Sequence, residues 1–440
     1  MKRNRRVAAA ATVFAVGLGL VGCSSDSSTD DSTTAASTGG SGEPVEITFW
    51  SWLPGFADVV TAFNESQDDI EVTFEETASG GAGGYAQLSA ALEAGNAPDV
   101  ATIEYPSLPG YAAAGDLTAI DSVLDGDVLE PYSDGLESLV TLGDSVWALP
   151  YDAPIQVYYY RTDLFEQAGI EAPTTWDEFE AAARTYKETF PDGYIASFFP
   201  NEPLLMSAMA WQNGASWFDT ADDSWTISID DDATTEVGDY WQRLIDEDLI
   251  KVEQAYSDEW ANSLSTGTVS GTLGANWLAT SVISRTEGQE GSWAVAPIPT
   301  PDGEPASGMW GGSTFAVTKD AENAEAAATF AQWLTTSEEA VAARGSVGAA
   351  VLADPELTKV AAEAFDASHF GGQDVYEVFD AASESIVPGW TWGPTMTGLV
   401  TQMQDDLGKV TSGSTVNDAF ASAQSKAVSE AESLGLSVSK

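Results

Sequence analysis

Apolar residues alternate through Val45, Ile47 and Phe49, the two-residue period of a strand with one buried face. At Phe56, Val59, Val60 and Phe63 the spacing lengthens to that of one helix face, and Ile70, Val72 and Phe74 return to alternation. Strand, helix and strand joined by short links predict a βαβ unit and a parallel sheet. The stretch "YAQLSAALEAG" predicts a second helix closed by Gly95, and "PDVATIEY" a third strand. The first third of the chain therefore reads as doubly wound, with its strand C-ends open to a ligand.

Further on, "WALPYDAPIQVYYYRTDLFEQAG" predicts two extended segments broken at Pro150 and Pro154, then a short helix. Thr175-Trp176-Asp177-Glu178 fits a capping box at the start of a helix through Phe179, Ala183 and Tyr186. Helices dominate from there to about Trp293, with short strands near Tyr194–Phe198, Trp225–Ile229 and Thr268–Leu273. "GGSTFAVTK" is strand-like, "NAEAAATFAQWL" is an amphipathic helix, and Thr395 to Leu434 is helical apart from "TSGST". No internal repeat is present.

The N-terminus has a different pattern. Lys2, Arg3, Arg5 and Arg6 precede an apolar run from Val7 to Gly22, too short to span a bilayer comfortably. This is the form of an export signal over residues 1–22. Leu20-Val21-Gly22-Cys23 resembles a bacterial lipobox, which implies that Cys23, the single cysteine, carries a lipid anchor, palmitate included; an ordinary signal peptide with an incidental cysteine is the alternative. Residues 23–43, "CSSDSSTDDSTTAASTGGSGE", have nothing to bury and read as a flexible tether. The body beyond is expected outside the cytoplasm, held to the cell membrane only through the lipid.

Composition narrows the partners. The net charge of −53 repels nucleic acid and anionic lipid headgroups, so no nucleic-acid partner is expected. One His and one Cys are too few for a Cys/His metal site, and no Ser/His/Asp or Cys/His catalytic set can be built from them. No cofactor, no metal and no catalytic residue are expected. The 15 Trp of a chain with 43% hydrophobic residues exceed what a core requires and invite a binding role for some of them.

The ordered segments "ITFWSW", "LEAGNAPDV", "LPYD", "YYYRTDLFEQAGIEAPTTWDEF", "GANW", "APIPTPDG" and "GGSTFAVTKDAENAEAAATFAQWL" resemble those of the family 1 extracellular solute-binding proteins, the receptors of ABC importers. The resemblance implies an α/β fold of two lobes, each a mainly parallel sheet flanked by helices, hinged around a ligand cleft. By that analogy residues 44–150 and 318–372 form an N-lobe and residues 151–317 and 373–440 a C-lobe. The hinge crossings then fall near 152–157 and 311–316. It also implies a monomer that docks on ABC permease subunits in the membrane. Inter-lobe clefts favour small-ligand sites, and closure excludes water.

A sugar presents an apolar C–H face to an indole and hydroxyls to carboxylates or amides. Candidates for such contacts lie at loop ends: Trp52 after the first strand, Glu104 and Tyr105 at the end of the third, and Asp152 in a crossing. Tyr85 follows the glycine-rich "SGGAGG". By resemblance to maltose-binding relatives, Asn201 and Glu202 in "FFPNEP" reach sugar and Trp277 in "GANW" stacks on it, although Asn276 replaces a proline. Trp310, ahead of two glycines, and Trp390 and Trp392 in "PGWTWGP" complete the set. Several alternatives remain open. Glu202 could cap its helix, Asp152 could brace the crossing strands, and the loop indoles could plug the interior.

Trp50, Trp176, Trp241 and Trp333 follow core patterns, and His369 reads as a packing or surface residue. The function expected is capture of a sugar, an oligosaccharide above all, without catalysis. The competing readings are a receptor for a quaternary amine or polyamine, and a secreted glycoside hydrolase.

Overall fold

The computed structural model describes residues 43–221, 224–345 and 351–439. The export signal, Cys23 and the tether up to residue 42 lie outside the described residues. Along the chain, the strands that organise the fold are β1 (Val45–Ser51), β2 (Ile70–Glu76), β3 (Val100–Glu104), β4 (Leu117–Thr118), β5 (Leu149–Pro150), β6 (Gln156–Arg161), β7 (Gly271–Ala275), β8 (Trp293–Pro297) and β9 (Ser313–Thr318).

The first sheet has the order β2-β1-β3-β9-β4, with β5 also on β9. β1 runs parallel to β2 in the register Val45↔Ile70 to Ser51↔Glu76, and parallel to β3 at Phe49↔Val100. The alternation predicted from sequence is what allows this: Ile47, Phe49 and Val72 are buried, and Phe56, Val59, Val60 and Phe63 of the following helix cover them. Phe49 lies at the centre, its ring 5.4–5.9 Å from those of Phe56, Phe74, Phe315 and Phe330. Gly95 closes the helix Gly84–Ala94 at φ 69, a left-handed position a side chain resists.

The second sheet departs from expectation. β6 lies between β7 and β8 and is antiparallel to both, so this sheet is not mainly parallel. The partners of β6 arrive from more than a hundred residues downstream, and the apolar spacing of a strand carries no information about its direction. Helices such as Trp176–Thr189, Pro203–Gln212, Asp232–Asp246 and Val416–Ser433 surround this sheet. The capping box at Thr175 is half formed. Thr175 Oγ1 accepts from Glu178 N at 3.0 Å, but the Glu178 carboxylate accepts from Thr174 N and Oγ1 instead.

Sheet membership also sets where the chain crosses. β9 lies wholly in the first sheet, paired to β3, β4 and β5, so residues 313–317 belong there and not to the second lobe. Residue 369, which the expected boundary at 372 puts in the first lobe, already lies beside the second sheet: Gly291 N donates to His369 O at 3.0 Å next to β8. Two crossings run side by side, joined by the Ile155↔Met309 bridge and by Trp310 N donating to Pro154 O at 3.0 Å. Gly311 and Gly312 take φ 79 and 101 there, and a Cβ on Gly312 would stand 2.7 Å from Tyr105 and 2.9 Å from Pro154. Only glycine fits that close approach.

His369 is a packing residue, 4% exposed, with Nε2 2.8 Å from Thr286 Oγ1. Among the described residues no helix is long and apolar enough to cross a membrane.

Candidate functional site

The strand ends bring part of the expected set together. Trp52 leaves β1 half-buried, its ring edge-on to Tyr85 at 6.0 Å and 88°. Gly80 of the glycine-rich loop lies against the Tyr85 ring, where no Cβ would fit. Tyr85 Oη donates to Glu104 Oε2 at 2.9 Å and accepts from Glu104 N at 2.9 Å, which fixes the carboxylate at the C-end of β3. A Cβ on Gly311 would lie 3.2 Å from Glu104 Oε1, so the crossing segment passes directly over this carboxylate.

The other wall is Trp277 and its neighbours. Trp277 ends the loop after β7, half-buried, with its ring centroid 4.8 Å from that of Trp310 and 6.5 Å from that of Tyr256. Trp310 is only 3% exposed and offers no face to a ligand. Its indole lies near enough to Glu202 to favour the charged carboxylate. Glu202 occupies the N-cap position of the helix Pro203–Gln212 without making a side-chain capping bond, so helix capping does not account for it.

Several candidates have their side chains engaged by other parts of the protein. Tyr105 is fully buried and its hydroxyl donates to Asp152 O at 3.0 Å: the residue after Glu104 turns back into the protein. Asp152 Oδ1 accepts from Ser313 N at 2.7 Å, bracing the two crossings. Asn201 spends its side chain on the next loop, accepting from Ala255 N at 2.8 Å. Trp390 and Trp392 are interior: Trp390 stacks on Trp211 at 5.1 Å and 5°, and meets Trp392 edge-on at 5.1 Å. Gly393 lets this loop lie flat on Phe218, so the Pro/Gly-bounded stretch seals the lobe. Tyr256 and Arg285 were missed by sequence reasoning, because one Tyr in a loop and one Arg at a helix end have no distinguishing spacing.

Three carboxyls of the site hold protons unusually well. Burial pushes Glu202 up to about 8, helped by the charge of Glu104 and opposed by the Trp310 indole. Burial raises Glu104 to about 7 against the Tyr85 hydrogen bond, with the Asp152 charge adding to the rise. Asp152 reaches about 6 through burial, opposed by Ser313 N–H and the Arg344 charge. In all three the folded state keeps a proton that the unfolded chain gives up, so stability is fully present below ordinary carboxylate values and falls as pH rises through about 6, 7 and 8. His369, lowered by burial, acts in the opposite sense but only towards 6.5 and below. The melting temperature of the ligand-free protein should therefore rise as pH is taken from about 8.5 to about 7. Glu202→Gln should raise it at the upper end and flatten the slope, both read by calorimetric scans.

Among the described residues no group of three or more His, Cys, Asp or Glu could hold a metal ion. The sequence profile described as "Bacterial extracellular solute-binding protein" matches residues 50–341. The chain belongs to the bacterial extracellular solute-binding proteins. This solute-binding protein is 26% identical to the lactose-binding protein of Rhizobium radiobacter over 358 residues, covering 76% of this chain and 81% of that one.

Among solved structures it superimposes on the galacto-N-biose-/lacto-N-biose I-binding protein of the ABC transporter from Bifidobacterium longum, in complex with lacto-N-biose. The TM-score is 0.81 at 28% identity, over 91% of this chain and 100% of that one. The ABC transporter associated binding protein from B. animalis subsp. lactis, in complex with β-1,6-galactobiose, gives TM-score 0.79 at 28% identity, over 90% and 100%. These two-lobed sugar binders share the architecture described above.

Proposed function

We propose that this solute-binding protein is the extracytoplasmic receptor of an ABC importer and captures a sugar of more than one ring in the cleft between its sheets. The observation that carries the reading is the half-buried Trp277 indole packed on Trp310, which in turn adjoins Glu202, a carboxyl that feels the charge of the Tyr85-held Glu104. The indole covers an apolar sugar face while the carboxyls bond its rim. Near neutral pH, Glu104, raised to about 7, keeps its proton part of the time and Glu202, raised to about 8, keeps it most of the time, so they can donate as well as accept. The lactose- and lacto-N-biose-binding relatives support a neutral saccharide.

Trp52 and Trp277 are the stacking candidates, Glu104 and Glu202 the polar ones. Trp310 and Asp152 support them from behind. Ligand engages both walls and shifts the lobes towards the closed form, which docks as a monomer on the permease. Cys23 provides the lipid anchor. The protein binds and does not cleave.

The test is calorimetric titration of the protein with lactose, lacto-N-biose, β-1,6-galactobiose and spermidine, with the sugars analysed afterwards for cleavage. Saturable, salt-indifferent binding of an intact disaccharide is expected. Binding of spermidine alone, with affinity falling as salt rises, would make the site a cation receptor, and hydrolysis products would make it an enzyme.

A further inference from the structure

We infer that Tyr256 is a specificity-determining residue of the cleft, extending the aromatic wall beyond Trp277 so that a second sugar ring is gripped. The inference rests on the sugar-receptor reading above. Tyr256 has φ 62, one of two non-glycine residues with positive φ among those described. A bulky side chain resists that conformation, and such strain persists only where its surroundings impose it.

The surroundings are visible on both sides. Ala255 N is held by Asn201 Oδ1 at 2.8 Å. Ser257 Oγ caps the helix Asp258–Thr266 by accepting from Trp260 N at 3.1 Å, and donates back to Gln254 O at 2.7 Å. Clamped at 255 and 257, the chain turns Tyr256 outward.

Turned out, the residue is 41% exposed, and only Leu434 among the described large apolar residues is also exposed. Interior packing does not explain it. The ring still has an ordered seat: it lies edge-on to Trp260 at 5.8 Å, and 6.5 Å from Trp277 with the planes 31° apart. The Arg285 guanidinium stands 5.8 Å from its centroid and 4.9 Å from that of Trp260. Burial above all, and then the charges of Glu202 and Glu104 against that of Arg285, raise the phenol well above its ordinary value, so the hydroxyl end is sheltered in the neighbourhood of those carboxyls while the residue as a whole stays open. An exposed aromatic residue adjoining the Trp277 indole, within the field of the same carboxyls, is placed for the ring next to the one on Trp277. Asn201, expected at the ligand, is on this account a positioning residue that sets the Tyr256 loop.

The test compares lacto-N-biose with galactose by calorimetry on the full chain. Wild type should hold the disaccharide more tightly. Tyr256→Ala should lower disaccharide affinity at least tenfold and galactose affinity less than twofold. Tyr256→Gly, which relieves the strained φ, should melt no lower than wild type yet show the same selective loss, a result that a purely structural role would not give. Asn201→Ala should lose disaccharide affinity several-fold. Unchanged disaccharide affinity in Tyr256→Ala and Tyr256→Gly, while Trp277→Ala loses binding, overturns this inference alone. So does a wild type that binds galactose equally well. A wild type that binds neither sugar and none of the other disaccharides overturns the receptor reading and this inference with it.

Discussion

Trp277→Ala should lower disaccharide affinity at least tenfold, by calorimetry, with little change in melting temperature. A tenfold loss is about 1.4 kcal/mol, and one aromatic contact supplies about 0.5–1.5 kcal/mol beyond the area it covers. The ring is half-buried, and its partner Trp310 is already 3% exposed, so truncation removes a ligand face and not the support of a core. Unchanged affinity would remove Trp277 from the site and leave the cleft without its central platform.

Trp390→Ala should do the reverse. The Trp390 ring is 3% exposed and sandwiched among Trp211, Trp217 and Trp392, with centroids 5.1–5.4 Å away. Truncating so large a buried ring costs about 3–5 kcal/mol through lost burial and the cavity left behind. Denaturant unfolding should show that loss, while the folded fraction binds sugar as before. Trp390→Phe should cost less than Trp390→Ala, since the indole N–H has no hydrogen-bond partner to lose. Intact stability in Trp390→Ala with a loss of affinity would return this loop to the ligand wall.

These two tryptophans show what the sequence could and could not say. The elements of the first lobe were legible because Val45–Phe49, Phe56–Phe63 and Ile70–Phe74 have unmixed periods, and each period is a statement about which face is buried. Strand direction has no such signature, and the antiparallel β7-β6-β8 sheet was missed for that reason. Within the candidate site, the alternation located the strand ends at which Trp52 and Glu104 lie, while Trp277, two residues past β7, was singled out by resemblance and not by pattern. Residues in Gly/Pro loops had no such guide, since "GMWGGS" and "PGWTWGP" read alike. One leads to an indole behind the cleft that adjoins Glu202, the other to an interior stack. Tyr256 was illegible because its exposure comes from clamps at Asn201 and Ser257, which are tertiary contacts.

The placement of Trp310 beside Gly311 and Gly312 has a mechanical corollary. The indole that adjoins Glu202 and the two glycines of the crossing are consecutive in the chain. A disturbance at Glu202 is thus separated from the crossing backbone by one buried side chain. A fluorophore grafted onto this stretch would sit against both the crossing and the packed Trp310–Trp277 pair.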